Sequence, residues 1–354
     1  MGSQSLRSGG NCKKPMKIVH IILTHSFAGS ERYAVELANL QAEQQHDVTL
    51  ILHQRGAEQR PNAIAHRVSP KVKVLLVGGF KLLAIYRTRR LLCQLKPDVA
   101  HAHLSAACRV LQGVKGLCLR VATLHIHYKK QQHAKLDALI AIAPWQLAAI
   151  PEPLRQHSVQ LDNWSAARPA TADARQRLRA EYQIPADAIV IGTLGRVEQS
   201  KGQDVLLDAF KQAAIPNSYL VIVGEGKNWQ ALREKAPAQV IMPGFSTTPQ
   251  DWLACFDCFV SAARTEPFGL VFLEAMHAGL PIVATATEGA KYLRPLFNNE
   301  LVGIDNAAHL AKRLQQQSQD LARRHYPMQR FEPSAKAAEV LAFYQQQLVT
   351  KTPG

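Results

Sequence analysis

Short apolar runs alternate with segments of helical period along most of the chain, the pattern of parallel α/β domains. In the first half, Lys17–Leu23, Asp47–Leu52, Val72–Leu76, Val99–Ala102, Val121–Leu124 and Ala138–Ile142 predict strands. In the second half, Ile189–Thr193, Tyr219–Val223, Val240–Met242, Cys258–Ser261 and Pro281–Ala284 do the same. Between them Ser30–Gln44, Lys81–Leu95, Gln203–Gln212, Asn228–Lys235, Leu270–Ala278 and Ala307–Gln316 predict helices. A closing amphipathic helix is predicted over Pro333–Leu348, with Ala337, Val340, Leu341 and Tyr344 on one face. Two Rossmann-like series therefore follow one another, joined by the Pro/Ala/Thr-rich stretch Ala166–Ala172. The predicted division is residues 1–15 as a disordered extension or tag, 16–165 and 166–332 as the two domains, and 333–354 as the closing helix. Two such domains leave a cleft between the carboxyl ends of their sheets, where α/β proteins bind ligands.

The chain has 354 residues, more than a single core sustains. Its longest apolar stretches, such as Leu136–Ile150, fall short of the ~20 residues a membrane span needs. Met1–Pro15 is polar and has no apolar core of a secretory signal, so a cytoplasmic protein is expected. Six cysteines in this length suggest no disulfide framework. Cys255 and Cys258 form one CxxC with no second pair to complete a zinc site, and their apolar neighbours predict buried packing.

The net charge of +15 is unevenly spread. Residues 1–165 hold 22 of the 42 Lys and Arg against 9 of the 27 Asp and Glu, leaving 20 against 18 for the rest. The excess in the first half points to an anionic surface or substrate: phospholipid headgroups, a phosphorylated glycan or nucleic acid. Phe80–Leu95 mixes Lys81, Arg87, Arg89 and Arg90 with Leu82, Leu83, Ile85, Leu91 and Leu92. Two readings fit it: a helix lying on anionic lipid, and an ordinary domain helix with a basic outer face.

Two constellations carry chemistry. Gly192-Thr-Leu-Gly195-Arg196 through Lys201-Gly202 follows a predicted strand and precedes a helix. There the backbone can approach an anion at Gly195, and two cations can converge on a diphosphate. Glu266-Pro-Phe-Gly269-Leu-Val-Phe-Leu-Glu274-Ala also joins a strand to a helix. It places backbone N–H groups at a helix N-terminus and two carboxylates eight residues apart, a spacing suited to polyol recognition.

Together the two constellations resemble the GT-B glycosyltransferase family 4, in which G-R-x-x-x-x-K-G precedes E-P/G-F-G-L-x-x-x-E-A. Ala28-Gly29-Ser30-Glu31-Arg32 resembles the family's N-terminal glycine loop, with Ala28 where a second glycine is common. Pro97-Asp98-Val99 and His101-Ala-His103 resemble its P-D-x-x-H-x-H segment, and Val223-Gly224-Glu225-Gly226 its glycine turn. Asn298–Gly303 departs from the family's glycine-rich segment.

The resemblance implies two Rossmann-like domains facing each other, the first binding acceptor and the second donor, with the closing helix crossing back onto the first. It implies Arg196 and Lys201 on the donor diphosphate, with Gly195, Gly224 and Gly29 approaching the phosphates. It implies the Phe268–Gly269–Leu270 backbone on phosphate and sugar, Glu266 on the sugar hydroxyls, Glu274 on the ribose, and His125 beside the reacting sugar. It further implies transfer with retention of configuration, without metal or other cofactor, from a UDP-, GDP- or ADP-linked sugar. The basic first half extends this to an anionic glycan or glycolipid acceptor of lipopolysaccharide-core or lipid-linked type, met from the cytoplasmic side of the inner membrane, with a peripheral contact to anionic lipid.

The rivals fare worse. No GxGxxG fingerprint supports a nicotinamide enzyme, and no Asp-x-Asp supports a metal-dependent transferase. A nucleotide-sugar 2-epimerase on the same fold stays open as the alternative. Nucleic-acid binding lacks interleaved aromatics and a docking motif, and no nucleic-acid partner is expected.

Overall fold

The computed structural model describes residues 14–351. The extension assigned to residues 1–15 lies outside the described residues, save Lys14 and Pro15. One sheet holds β1 (Lys17–Ile22), β2 (Asp47–His53), β3 (Lys73–Val77), β4 (Val99–His103), β5 (Leu119–Leu124), β6 (Ala138–Ala141) and β7 (Ser158–Gln160), in the order β3-β2-β1-β4-β5-β6-β7. A second holds β8 (Ile189–Leu194), β9 (Ser218–Val223), β10 (Val240–Gly244), β11 (Cys258–Ser261) and β12 (Ile282–Ala284), in the order β10-β9-β8-β11-β12. All pairings of the second sheet are parallel, as are those of β1 with β2 and β4, of β2 with β3 and of β6 with β7. Parallel neighbours need crossovers, and helices supply them.

By contacts the chain divides into two compact units. One takes in the described residues to Ala122, Lys135–Asp137 and the end from Tyr344; the other takes Thr123–Ala134 and Ala138–Phe343. In the second, Ile191, Leu206, Phe210, Leu220, Ile222, Val260 and Val283 belong to one core that helix Ala307–Gln317 closes with Leu310 and Leu314. In the first, Ile18, Ile21, Leu37, Leu50 and Ile51 are fully buried. These runs are apolar on both faces of their strands, as a sheet covered by helices on both sides requires.

Three histidines interrupt that first core. His20 of β1 and His101 and His103 of β4 are fully buried. His20 Nε2 lies 2.7 Å from Gln41 Oε1, which can only accept, so the neutral ring carries its proton there. His20 Nδ1, 3.1 Å from His103 Nε2, then accepts from that ring. His101 Nδ1 shares a 2.5 Å hydrogen bond with the hydroxyl of Tyr344, near the end of helix Pro333–Lys351. Burial pushes His20 down to a pKa of about 4, outweighing its bond to Gln41.

The predicted strands and helices all form, most within a residue or two. The predicted helix Asn228–Lys235 contracts to Trp229–Arg233, because the N–H of Lys235 turns back to the Leu232 carbonyl ahead of Pro237. The structure adds β7 and helices Leu104–Gln112, Ala174–Glu181, Pro249–Cys255 and Glu288–Phe297, none of which the apolar period announced. Cys255 and Cys258 are buried free thiols, and desolvation pushes Cys258 up to about 12, as packing residues require.

Candidate functional site

The first constellation sits where β8 leaves its sheet. Gly195 donates its N–H to the Val223 carbonyl at 3.0 Å, and Gly224 donates to Gly244 at 2.8 Å. Gly224 has φ of +133°, and a Cβ there would stand 1.9 Å from the Gly195 carbonyl oxygen, so these two turns can nest only as glycine. The chain then forms a single turn, Gln199–Lys201, and enters helix Gln203–Ala213 through Gly202. Gly202 is left-handed, and a Cβ would lie 2.0 Å from the Ala262 carbonyl oxygen. Gln203 Nε2 holds the Arg196 carbonyl at 2.9 Å. The Arg196 side chain reaches outward to Glu198, 3.2 Å away, and is mostly exposed.

The second constellation follows β11. Glu266 meets the first constellation directly, accepting from Lys201 Nζ at 2.6 Å. Its carbonyl accepts from Gly289 N–H at 2.8 Å, which fixes the loop against the start of helix Glu288–Phe297. The Phe268 ring is buried beside Tyr292 and Phe331, so only its backbone faces outward chemistry. Gly269, at φ +91°, caps helix Leu270–His277, whose half-buried Glu274 lies in the second turn. Thus Lys201, Glu266 and the Phe268–Leu270 backbone are brought together. Arg196 and Lys201 each take a different carboxylate and do not share one.

Arg264, which the motifs did not single out, clamps the two loops. Its guanidinium forks onto Asp204 at 2.9 and 2.7 Å, reaches Asp305 at 2.6 Å and donates to the Gln199 carbonyl at 2.6 Å. Its own N–H donates to the Ser200 carbonyl at 2.9 Å. The turn that carries Lys201 is therefore pinned from the loop that carries Glu266. The Arg264 hydrogen bonds hold Asp204 below its usual range, against the opposing effect of burial.

His125 follows β5, as its motif position predicts. Desolvation pushes its imidazole down to about 3, so the ring is neutral at physiological pH, with one nitrogen to donate a hydrogen bond and one to accept. Its loop is held by Gln146, whose Nε2 donates to the Ile126 carbonyl at 2.6 Å and whose Oε1 accepts from Ile142 N–H at 2.8 Å. The adjacent Trp145 donates its indole N–H to the Pro267 carbonyl at 3.0 Å. One dipeptide thus grips both the histidine loop and the Glu266–Gly269 loop.

Gly29 lies in the other unit, at the first residue of helix Gly29–Glu43. Buried Glu31 shapes its loop by accepting from Thr24 Oγ1 at 2.6 Å, from Ala28 N–H at 3.1 Å and from Ser30 Oγ at 3.1 Å. Ala28 is extended, with φ −145° and ψ −165°, a conformation that asks for no second glycine. Of the described His, Cys, Asp and Glu, only His20, His101 and His103 cluster with metal-ligand spacing. They lie in the sheet core, and both ring nitrogens of His20 are hydrogen-bonded within it.

Residues 27–192 match the family described as Glycosyltransferase Family 4, and residues 174–330 match Glycosyl transferases group 1. The chain is 28% identical over 299 residues to the lipopolysaccharide core biosynthesis glycosyltransferase LpsD of Rhizobium meliloti, a match covering 78% of this chain and 80% of that one. Among solved structures it is similar to Anabaena HepE in complex with UDP-glucose, with a TM-score of 0.73 at 20% identity over 95% of this chain and 99% of that one. It is also similar to WaaG, a glycosyltransferase involved in lipopolysaccharide biosynthesis, with a TM-score of 0.67 at 16% identity over 95% and 100% of the two chains. These likenesses carry the GT-B fold.

Proposed function

We propose that this chain, which belongs to glycosyltransferase family 4 and is a glycosyltransferase, moves one sugar from a nucleoside diphosphate sugar to a hydroxyl of an anionic glycan or glycolipid, with retention of configuration. The observation that carries the reading is the Lys201–Glu266 pair at the mouth of the glycine-turn loops, 2.6 Å apart. A cation bound to a carboxylate in this way can serve a diphosphate on one side while the carboxylate serves sugar hydroxyls on the other. Lys201 and Arg196 would carry the charge that develops on the leaving diphosphate, which removes the need for a divalent ion. The backbone N–H groups at Gly269 and Leu270 would add the helix N-terminus to that field. Glu274 would take the ribose hydroxyls, and Gly195, Gly224 and Gly29 would let phosphate approach the backbone. Neutral His125 would stand by the reacting sugar. In front-face displacement the leaving phosphate itself takes the acceptor proton.

The acceptor half rests on the basic first 165 residues and on relatives named for lipopolysaccharide core biosynthesis, LpsD and LpsE of Rhizobium meliloti. With such an acceptor the work would fall at the cytoplasmic face of the inner membrane, where nucleotide sugars are available. The similar Anabaena HepE is in complex with UDP and glucose in one structure and UDP-glucose in another, which makes a UDP-sugar the first donor to try.

The test is a thermal-shift panel of UDP, GDP and ADP on the wild type and on Lys201→Ala, followed by incubation of the stabilising sugar nucleotide with truncated lipopolysaccharide cores. Stabilisation by one diphosphate, lost in the variant, and a product that keeps the donor's anomeric configuration by NMR are expected. A free epimerised sugar in place of a glycosylated core would move the reading to the 2-epimerase. No stabilisation by any diphosphate would overturn the donor site.

A further inference from the structure

Behind the Glu266–Gly269 loop, side chains from three separate segments meet on one carboxylate. Asp162 follows β7, Tyr292 lies on helix Glu288–Phe297, and Arg330 belongs to the single turn Gln329–Phe331 that leads into the closing helix. Asp162 Oδ1 accepts from the Tyr292 hydroxyl and, at 2.9 Å, from Gln160 Nε2. Its Oδ2 accepts from Nε and Nη2 of Arg330 at 3.0 and 2.7 Å. Arg330 Nη2 also donates to the Tyr292 oxygen at 2.5 Å, so each of the three groups bonds the other two. Only 9% of the Asp162 side chain is exposed, and a carboxylate so shielded needs such partners. Burial, then the bond to Asp162, push the Tyr292 hydroxyl up to about 12, which keeps it a donor at physiological pH.

What the tripod holds is Phe268. The buried Phe268 ring has its centroid 6.1 Å from that of Tyr292 and 6.3 Å from that of Phe331, and the Arg330 guanidinium stands 4.8 Å over the Phe331 ring. One turn before Tyr292 on the same helix, Gly289 donates to the Glu266 carbonyl at 2.8 Å. A Cβ at Gly289 would stand 2.3 Å from the Phe268 carbonyl oxygen. The helix therefore meets Phe268 twice, at its ring through Tyr292 and at its backbone through Gly289. Two residues on begins helix Leu270–His277, whose first N–H groups have no acceptor within their own helix. Ring packing alone would ask for no hydroxyl at Tyr292. A shielded ion pair adds little net stability, so what the tripod supplies is a fixed position.

We propose that Tyr292, fixed by Asp162 and Arg330, is a positioning residue for the transfer: it sets where the Gly269 and Leu270 N–H groups stand against the charge that develops on the leaving phosphate. The inference rests on the donor site proposed above. Loss of the hydroxyl leaves Lys201 and the glycine turns in place to bind the diphosphate, so donor binding survives. The alignment felt in the transition state does not. Small displacements suffice, since a misplacement of about 1 Å costs on the order of a hundredfold in rate.

The experiment is Tyr292→Phe in the full chain, which keeps the ring against Phe268 and leaves Asp162 with Gln160 and Arg330. Its probes are the nucleoside diphosphate that stabilises wild type in the UDP, GDP and ADP panel, and the matching sugar nucleotide with truncated core. The thermal shift and the donor KM should stay within about twofold of wild type, while kcat falls about tenfold. Asp162→Ala should lower kcat at least as far. Adding Tyr292→Phe to it should cost little more, because the hydroxyl acts through that carboxylate. Asp162→Asn, which can still accept from the hydroxyl, should recover part of the loss. Wild-type kcat in Tyr292→Phe, or a raised donor KM with kcat unchanged, overturns the inference and leaves the donor site standing. So do losses in the two variants that simply multiply. Absence of stabilisation of wild type by any of the diphosphates removes the donor site and this inference with it.

Discussion

Lys201 Nζ and Glu266 Oε2 lie 2.6 Å apart, although 65 residues separate them, with only 24 and 12% of their side chains exposed. The pair joins the loop after β8 to the loop after β11. Removing either member leaves a largely shielded charge without its counter-ion, which costs more than the pair itself contributes. Lys201→Ala should therefore lower kcat/KM for the donor by about a hundredfold to a thousandfold, the range for losing one charge-stabilising group. Steady-state kinetics alongside a melting curve would check it. Near-normal turnover in a folded Lys201→Ala protein would remove Lys201 from the donor site.

Arg264 acts on the same loop from behind. Its fork on Asp204 and its bond to the Gln199 carbonyl fix the turn that ends at Lys201. Arg264→Lys keeps the charge but cannot span both oxygens of Asp204 and the carbonyl together. About a tenfold rise in donor KM is expected, with lysine giving little rescue over alanine. Because the effect passes through Lys201, it should largely vanish in a Lys201→Ala background. Simple additivity in that double-mutant cycle would count against the clamp.

Trp145 offers a narrower change. Trp145→Phe keeps an aromatic ring and deletes the N–H that holds the Pro267 carbonyl. A hydrogen bond of this kind is worth about 1 kcal/mol net, so kcat/KM should fall roughly fivefold with little loss of fold stability. Unchanged kinetics would mean that the Glu266–Gly269 loop is fixed without it.

Much of this was legible along the chain, and the residues explain why. β1, β8 and β9 are buried on both faces, so their composition alone announces them. β7 is three half-buried residues and leaves no such trace. Helix Glu288–Phe297 contains Gly289 and Pro295, which read as breakers until Thr287 is seen capping its start. The motif residues Arg196, Lys201, Glu266 and Glu274 stood out because their order and spacing are local. Arg264 and Trp145 were silent because their partners lie up to 65 and 122 residues away. Nor could spacing foretell that Lys201 would face Glu266 while Arg196 turned to Glu198.

The buried histidines set a limit on acid stability. His20 has a folded pKa of about 4 against an ordinary value of 6.5, so the unfolded chain takes up a proton that the folded chain refuses. The sign follows from linkage: the folded state is favoured at pH above 6.5, and the advantage is lost as pH falls from there toward 4. His125 and His133, pushed down to about 3 and 4, act in the same direction over the same range. From pH 7 to 5, His20 alone should cost about 2 kcal/mol, as an order of magnitude, in the free energy of unfolding. Urea denaturation at pH 7, 6 and 5 would measure the slope. His20→Gln loses the titrating group; whatever its absolute stability, its curve should fall less steeply between pH 6.5 and 5 than that of wild type. Parallel curves would mean that water or a shifted Gln41 side chain lets His20 take its proton in the folded protein.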